Sequence, residues 1–185
     1  MDKILFINAC VRPNSRTLDL AKHVISRLSG RIEEVKLYEK ELSSLTLKEM
    51  EIRDKSAENK DFSSEIFNLP KQFATSDVIV IAAPYWDLMF PAVLKSYFEK
   101  ITVNGLTFCY TEKGIPHGLC KAKKLIYVTT SGGPILNNFG FDYVDALAKN
   151  FYGIPEVQFV SAQGLDIYGA DPTNIIEEAK QSLGF

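Results

Sequence analysis

Three short apolar runs, each ending in small or turn-forming residues, constrain this chain more than anything else in it. Ile4, Leu5, Phe6 and Ile7 run into Asn8; Val78, Ile79, Val80 and Ile81 run into Ala82, Ala83 and Pro84. Leu125, Ile126, Tyr127 and Val128 run into Thr129, Thr130, Ser131, Gly132 and Gly133. A strand with no polar alternation leaves no face for water, so it must be covered on both sides, as in a parallel sheet. Two other segments do alternate: Glu34 and Lys36 interrupt residues 32–37, and Gln158 interrupts residues 157–160. These read as peripheral strands.

Between the runs lie helical periods. Leu18, Ala21, Val24, Ile25 and Leu28 make one apolar stripe, with Asp19, Lys22, His23, Ser26 and Arg27 opposite it. Pro91 suits a first helical position, followed by Leu94, Tyr97, Phe98 and Ile101. Residues 143–151 read as a further helix closed near Gly153, Ile154 and Pro155. Asp171 and Pro172 read as the cap and first turn of a last one. Residues 39–60 are charged and give a loop and a helix of open limits. Alternating strands and helices predict an α/β, doubly wound, five-stranded parallel sheet, and edge positions for the alternating strands give the order 2-1-3-4-5 seen in flavodoxin. The length of 185 residues suits one core, so residues 1–185 are read as a single domain.

Composition removes several classes. A net charge of -2 gives no reason to expect a nucleic-acid or membrane partner, so an anionic ligand would need local donors. No apolar run approaches the roughly 20 residues of a membrane helix, and the first residues are too soon interrupted for a signal peptide. Cys10, Cys109 and Cys120 are odd in number and lack a C-x-x-C spacing, which suits a reducing, cytoplasmic compartment. With only His23 and His117 present, a histidine-rich metal site is not expected, and no metal is assigned. Both histidines read better as solvated side chains than as catalytic ones.

Ligands of open parallel sheets bind beyond the carboxyl ends of the strands. Three loops leave those ends here. In the first, Ser15 and Thr17 offer hydroxyls where a helix offers free N–H groups and a partial positive charge, which makes a phosphate site. Asn14 or Ser15 would equally serve as an ordinary helix cap. Neither the G-x-G-x-x-G fingerprint nor a Walker loop occurs, which points to a mononucleotide, FMN being the usual one on this fold. The second loop holds Pro84, Tyr85, Trp86, Asp87, Leu88, Met89, Phe90 and Pro91, an apolar surface that a flat ring, the core or a subunit interface would cover. The third holds Thr129, Thr130, Ser131, Gly132, Gly133 and Pro134. Its paired glycines let N–H groups approach a ligand and stabilise charge on a reduced flavin, or else simply make the turn.

As a set these blocks resemble the flavodoxin-like fold NAD(P)H-dependent FMN reductase family, which includes the NAD(P)H quinone reductases and FMN-dependent NADH azoreductases. The resemblance is carried by residues 8–17, 83–95 and 130–133, supported by residues 107–111, 151–155 and 162–165. It implies FMN as cofactor (FAD as the alternative) and NAD(P)H as electron donor. It implies that Ser15, Arg16 and Thr17 bind the phosphate with Cys10 beside it. Pro84, Tyr85, Trp86, Asp87 and Leu88 would run along the ribityl chain and ring, and Thr130, Ser131, Gly132 and Gly133 would close the other edge. Family members often have serine in place of Cys10, and asparagine or tryptophan in place of Asp87.

The implied activity is ping-pong hydride transfer to quinones, azo compounds or similar small acceptors, with no catalytic side chain because the flavin carries the chemistry. The alternatives are a flavodoxin-type electron carrier and a flavin-free regulatory module. The first loop lacks the carrier's T-x-T-G-x-T pattern. A homodimer is also implied, and Tyr85, Trp86, Leu88, Met89, Phe90, Phe108 and Tyr110 are more apolar surface than one ring covers.

Overall fold

The computed structural model describes residues 1–184. Five parallel strands form one sheet: β1 (Lys3–Asn8), β2 (Arg31–Lys36), β3 (Val78–Ala82), β6 (Lys124–Thr130) and β7 (Glu156–Ala162), in the order β2-β1-β3-β6-β7. The expected flavodoxin-like order is the observed one, with the two alternating segments at the edges. Between β3 and β6 in sequence, β4 (Phe108–Tyr110) and β5 (Pro116–Gly118) make a separate antiparallel hairpin.

Side chains alternate across the pleat, so each buried strand feeds two cores at once. Leu5, Ile7, Ile79, Ile81, Leu125 and Tyr127 face one side. There they meet Phe73 of α3 (Asn68–Ala74), Leu94 and Phe98 of α4 (Ala92–Ile101) and Val144 of α5 (Phe139–Leu147). Ile4, Phe6, Val80, Ile126 and Val128 face the other side, against Leu20 and Val24 of α1 (Arg16–Ser26) and Ile176 of α6 (Pro172–Gln181). At roughly 1.5–3 kcal/mol per buried aliphatic side chain, this two-sided burial is what demands consecutive apolar residues.

α2 (Leu47–Asn59) is held differently. It carries a Thr46–Glu49 capping box and buries no residue. Instead Arg53 donates to the carbonyl oxygens of Glu99 and Lys100, and Glu49 pairs with Lys100, tying α2 to the end of α4.

Two helix limits differ from the sequence reading. Pro91 is the cap residue before α4 rather than its first helical position, with an extended ψ of 143°. α5 begins at Phe139, capped by Asn138, and passes into a π turn over Ala148–Tyr152 that ends at Gly153 with φ 72°. Gly140 hid that start, because a glycine reads as a breaker. Here it is buried in the helix, and a Cβ would come 3.0 Å from the Tyr127 hydroxyl oxygen. The glycine allows close packing of helix on strand. Asp171 and Pro172 cap and start α6 as expected. Among the described residues no helix is long and apolar enough to cross a membrane.

Candidate functional site

The carboxyl ends of β1, β3, β6 and β7 open into a cleft of about 430 Å³. Its walls include Cys10, Ser15, Arg16 and Thr17 from the first loop and Pro84, Tyr85 and Trp86 from the second. Thr130, Ser131 and Gly132 come from the third loop, and Leu165 and Asp166 follow β7. Ten of the thirteen residues expected from sequence thus meet in one place. Asp87, Leu88 and Gly133 do not wall it.

The first loop is fixed at its root by a buried amide. Asn8 accepts the backbone N–H of Cys10 at 2.9 Å and donates to Glu34 at 2.9 Å. At its far end Ser15 caps α1, accepting the Leu18 N–H at 3.3 Å. The N-terminus of α1 therefore borders the cleft with its partial positive charge, the arrangement that suits a phosphate.

Thr17 turns inward. It is 1% exposed, and its hydroxyl lies 2.6 Å from that of Thr130, joining the first loop to the third. One of the two hydroxyls donates to the other, so one proton of the pair is left for a ligand. Ser131 is likewise engaged, donating to the Gly133 carbonyl at 2.6 Å.

Cys10 sits half-buried, its Sγ 3.8 Å from the Ala82 carbonyl oxygen. Burial pushes its thiol pKa up, opposed by a smaller lowering from a hydrogen bond with Ser15. The side chain is therefore a neutral thiol at neutral pH, which disfavours nucleophilic chemistry.

The second loop is a tight hairpin. Trp86 and Met89 exchange two backbone hydrogen bonds of 2.8 Å, and the two residues between them, Asp87 and Leu88, both have positive φ (50° and 69°). That is a two-residue primed turn built without glycine, and a leucine in the left-handed region costs about 1–2 kcal/mol. The turn leaves Trp86, on the cleft wall, and Leu88, outside it, both exposed. Tyr85 is pinned by its N–H to Thr130 and its hydroxyl to the Asn137 carbonyl. Phe90 and Phe108, counted with the surface aromatics from sequence, are buried in the fold.

The sequence reading passed over Asp166. Its carboxylate pairs with Arg16 at 2.7 Å, and its other oxygen lies so close to Gly132 that a Cβ there would collide with it. The only local signal was Gly164 two residues earlier, which takes φ 78° to turn the chain back. His117 is exposed on β5, in register with Cys109 and away from the cleft walls.

A family model described as "Flavodoxin-like fold" matches residues 2–184. The FMN-dependent NADH:quinone oxidoreductase of Coprothermobacter proteolyticus is 37% identical, over 97% of this chain and 94% of that protein. The enzyme of the same name from Lachnoclostridium phytofermentans is 34% identical, over 100% of this chain and 97% of that protein. Among solved structures, an azoreductase from Bacillus anthracis superposes with a TM-score of 0.82 at 25% identity, covering 98% of this chain and 96% of that one. A Bacillus anthracis FMN-dependent NADH-azoreductase in complex with FMN gives 0.77 at 25% identity, covering 98% and 95%. With sheet order, cleft position and full-length likeness in agreement, this chain belongs to the flavodoxin-like fold family.

Proposed function

We propose that this chain is an FMN-dependent NADH oxidoreductase that reduces quinones, azo compounds or similar small acceptors, working as one domain over its whole length. The observation that carries this is the convergence of three strand-end loops on one cleft at the N-terminus of α1. The names of the full-length relatives support the same reading.

The donor set fits FMN. Helix N–H groups, Ser15 and Arg16 suit a phosphate at one end, and the Tyr85–Trp86 wall suits a flat apolar ring at the other. Bound there, FMN would supply the hydride chemistry, taking two electrons from NADH and giving them to the acceptor. The chain's own residues bind and orient. Ser15 and Arg16 would anchor the phosphate; Tyr85, tied at both ends, would fix the wall along the ribityl chain. The backbone of Ser131 and Gly132 would line the opposite edge. No side chain has to act as nucleophile, which agrees with the neutral thiol of Cys10.

The exposed apolar side chains favour a homodimer. Val11, Trp86, Leu88, Leu136, Phe139 and Tyr168 stand exposed on or just past the loops that follow the strands at the carboxyl edge. A two-fold partner would cover them with its own copy of the patch and wall the acceptor site.

Purified protein titrated with FMN should develop a bound-flavin spectrum and, with oxygen excluded, consume NADH beyond the equivalent that reduces the bound flavin only when a quinone or azo acceptor is present. Protein that binds no flavin would remove the reading. Sedimentation equilibrium across a dilution series, with activity alongside, tests the dimer; a fully active monomer would sink it.

A further inference from the structure

Among the residues that wall the cleft, the charged side chains are Arg12, Arg16 and Asp166. One of the two cations is already engaged. Arg16 Nη1 holds Asp166 Oδ1 at 2.7 Å, although both side chains are largely open to solvent, at 47% and 69% exposure.

The carboxylate is held there by backbone geometry. The Asp166 N–H donates to the Gly132 carbonyl at 2.9 Å, the Leu165 N–H to Ser131 at 3.2 Å and the Gly164 N–H to Gly133 at 3.3 Å. Residues 164–166 are thus laced to the third loop, and the missing Cβ of Gly132 makes the room that Asp166 Oδ2 fills. A negative side chain is therefore placed at the mouth of a site otherwise built for an anion.

We infer that Asp166 competes with the flavin phosphate for Arg16, and so sets how strongly the chain prefers a phosphorylated flavin over an unphosphorylated one. This rests on the flavin reading above. A phosphate dianion that engages the Arg16 guanidinium at the α1 N-terminus must draw it away from Asp166 or share it. Either way a carboxylate stays near the phosphate, and like charges at short range repel. Riboflavin carries the same ring and ribityl chain with no phosphate, so it does not meet this repulsion.

The contribution is bounded by solvent. Exposed ion pairs are weak and screened by salt, so removing the carboxylate is expected to tighten FMN by about threefold to fivefold at low ionic strength. The substitution Asp166→Asn keeps the shape and an acceptor for Arg16 while removing the charge, which makes it the informative variant. Asp166→Ser repeats the test with a side chain too short to reach Arg16 in the same way.

The experiment is fluorescence titration of FMN and of riboflavin into wild type, Asp166→Asn and Asp166→Ser, at low and at high salt. The expected result is tighter FMN binding in both variants, riboflavin unchanged within about twofold, and an FMN difference that collapses at high salt. FMN binding that is unchanged or weaker in Asp166→Asn overturns the inference and makes Asp166 a strut that holds Arg16 in place. Equal tightening of both flavins overturns it too, since the phosphate would then not be involved. Wild type that takes up neither flavin would overturn the flavin reading itself, an outcome distinct from the other two.

Discussion

The two ends of the central sheet are built from opposite materials. At the amino edge the strands begin among charges paired in solvent. Lys3 meets Glu33 at 3.3 Å, Arg31 meets Glu33 at 3.4 Å, Lys121 meets Asp77 at 2.7 Å and Lys124 meets Glu156 at 3.0 Å. At the carboxyl edge two of these strands, β1 and β6, run out into Asn8, Thr129, Thr130 and Ser131, all buried and uncharged, with Thr17 packed against Thr130. Burying hydroxyls and an amide is unfavourable unless they are bonded, and it is tolerated here at the end where the cleft opens. The amino edge can be satisfied by water and salt; the carboxyl edge is organised in advance for something that replaces water.

The largest expected effect breaks the carboxyl edge at its ligand. Replacing Ser15 by Ala and Arg16 by Gln together removes a hydroxyl and a charged donor. The loss of FMN affinity is expected at about 2–4.5 kcal/mol, from roughly 0.5–1.5 for the neutral bond and 1.5–3 for the charged one. Loss of the helix cap lowers stability by about 1 kcal/mol at the same time. Isothermal titration with FMN, beside urea unfolding of the apo protein, separates the two. Unaltered affinity would move the phosphate away from this loop.

A smaller effect sharpens the contrast by removing one hydroxyl of the buried pair. Thr17→Val leaves the Thr130 hydroxyl, 2.6 Å away in the native chain, without its partner. An unsatisfied buried hydroxyl costs about 1–3 kcal/mol, and removing both partners is much closer to neutral. The double variant Thr17→Val with Thr130→Val should therefore unfold at higher urea than the single one. Additive losses in this cycle would show that the pair is not coupled and that the carboxyl edge is held some other way.

How much of this was legible in the sequence follows from the same division. The strands could be read because two-sided burial forces consecutive apolar residues, as in residues 78–81. The three loops could be read because each follows such a run. What the sequence hid depends on partners far along the chain. Arg16 and Asp166 lie 150 positions apart, and nothing near either residue announces the other. Thr17, which walls the cleft, also bonds Thr130, 113 positions away, and nothing near either residue announces that pairing. The hairpin of β4 and β5 has three-residue strands containing Pro116 and Gly118, too short for any periodicity. Gly118 is there because the backbone of Tyr152 and Gly153 leaves no room for a Cβ.

At the amino edge the expected effect is smaller and depends on pH. Asp77 is held below the ordinary carboxylate range, first by the Lys121 ammonium and then by the Lys3 backbone N–H. A carboxyl with a depressed folded pKa stabilises the fold above its unfolded value, about 3.9, and loses that contribution as pH falls through the folded value. Asp77→Asn should therefore flatten the fall of Tm as pH drops below about 3.9, and leave FMN affinity as it was. An equal acid slope in the variant, or a changed FMN affinity, would mean that the two edges are not independent.

The smallest expected effect is at Cys10, where the two edges' rules collide. It lies beside a helix N-terminus, a position that lowers a thiol's pKa and would make it reactive. Burial acts the other way and outweighs the lowering from the Ser15 hydrogen bond, so the thiol is pushed up and stays protonated near neutral pH. Such a thiol should react with a disulfide reagent more slowly than a free cysteine, and more slowly still once FMN fills the cleft. Cys10→Ser keeps the size and improves the hydrogen-bonding group, so turnover should stay within about threefold and stability within about 1 kcal/mol. The measurement is steady-state NADH oxidation by wild type and variant with matched flavin content. A drop of several orders of magnitude in flavin-loaded Cys10→Ser would make the thiol part of the chemistry and overturn burial as the dominant influence on its charge.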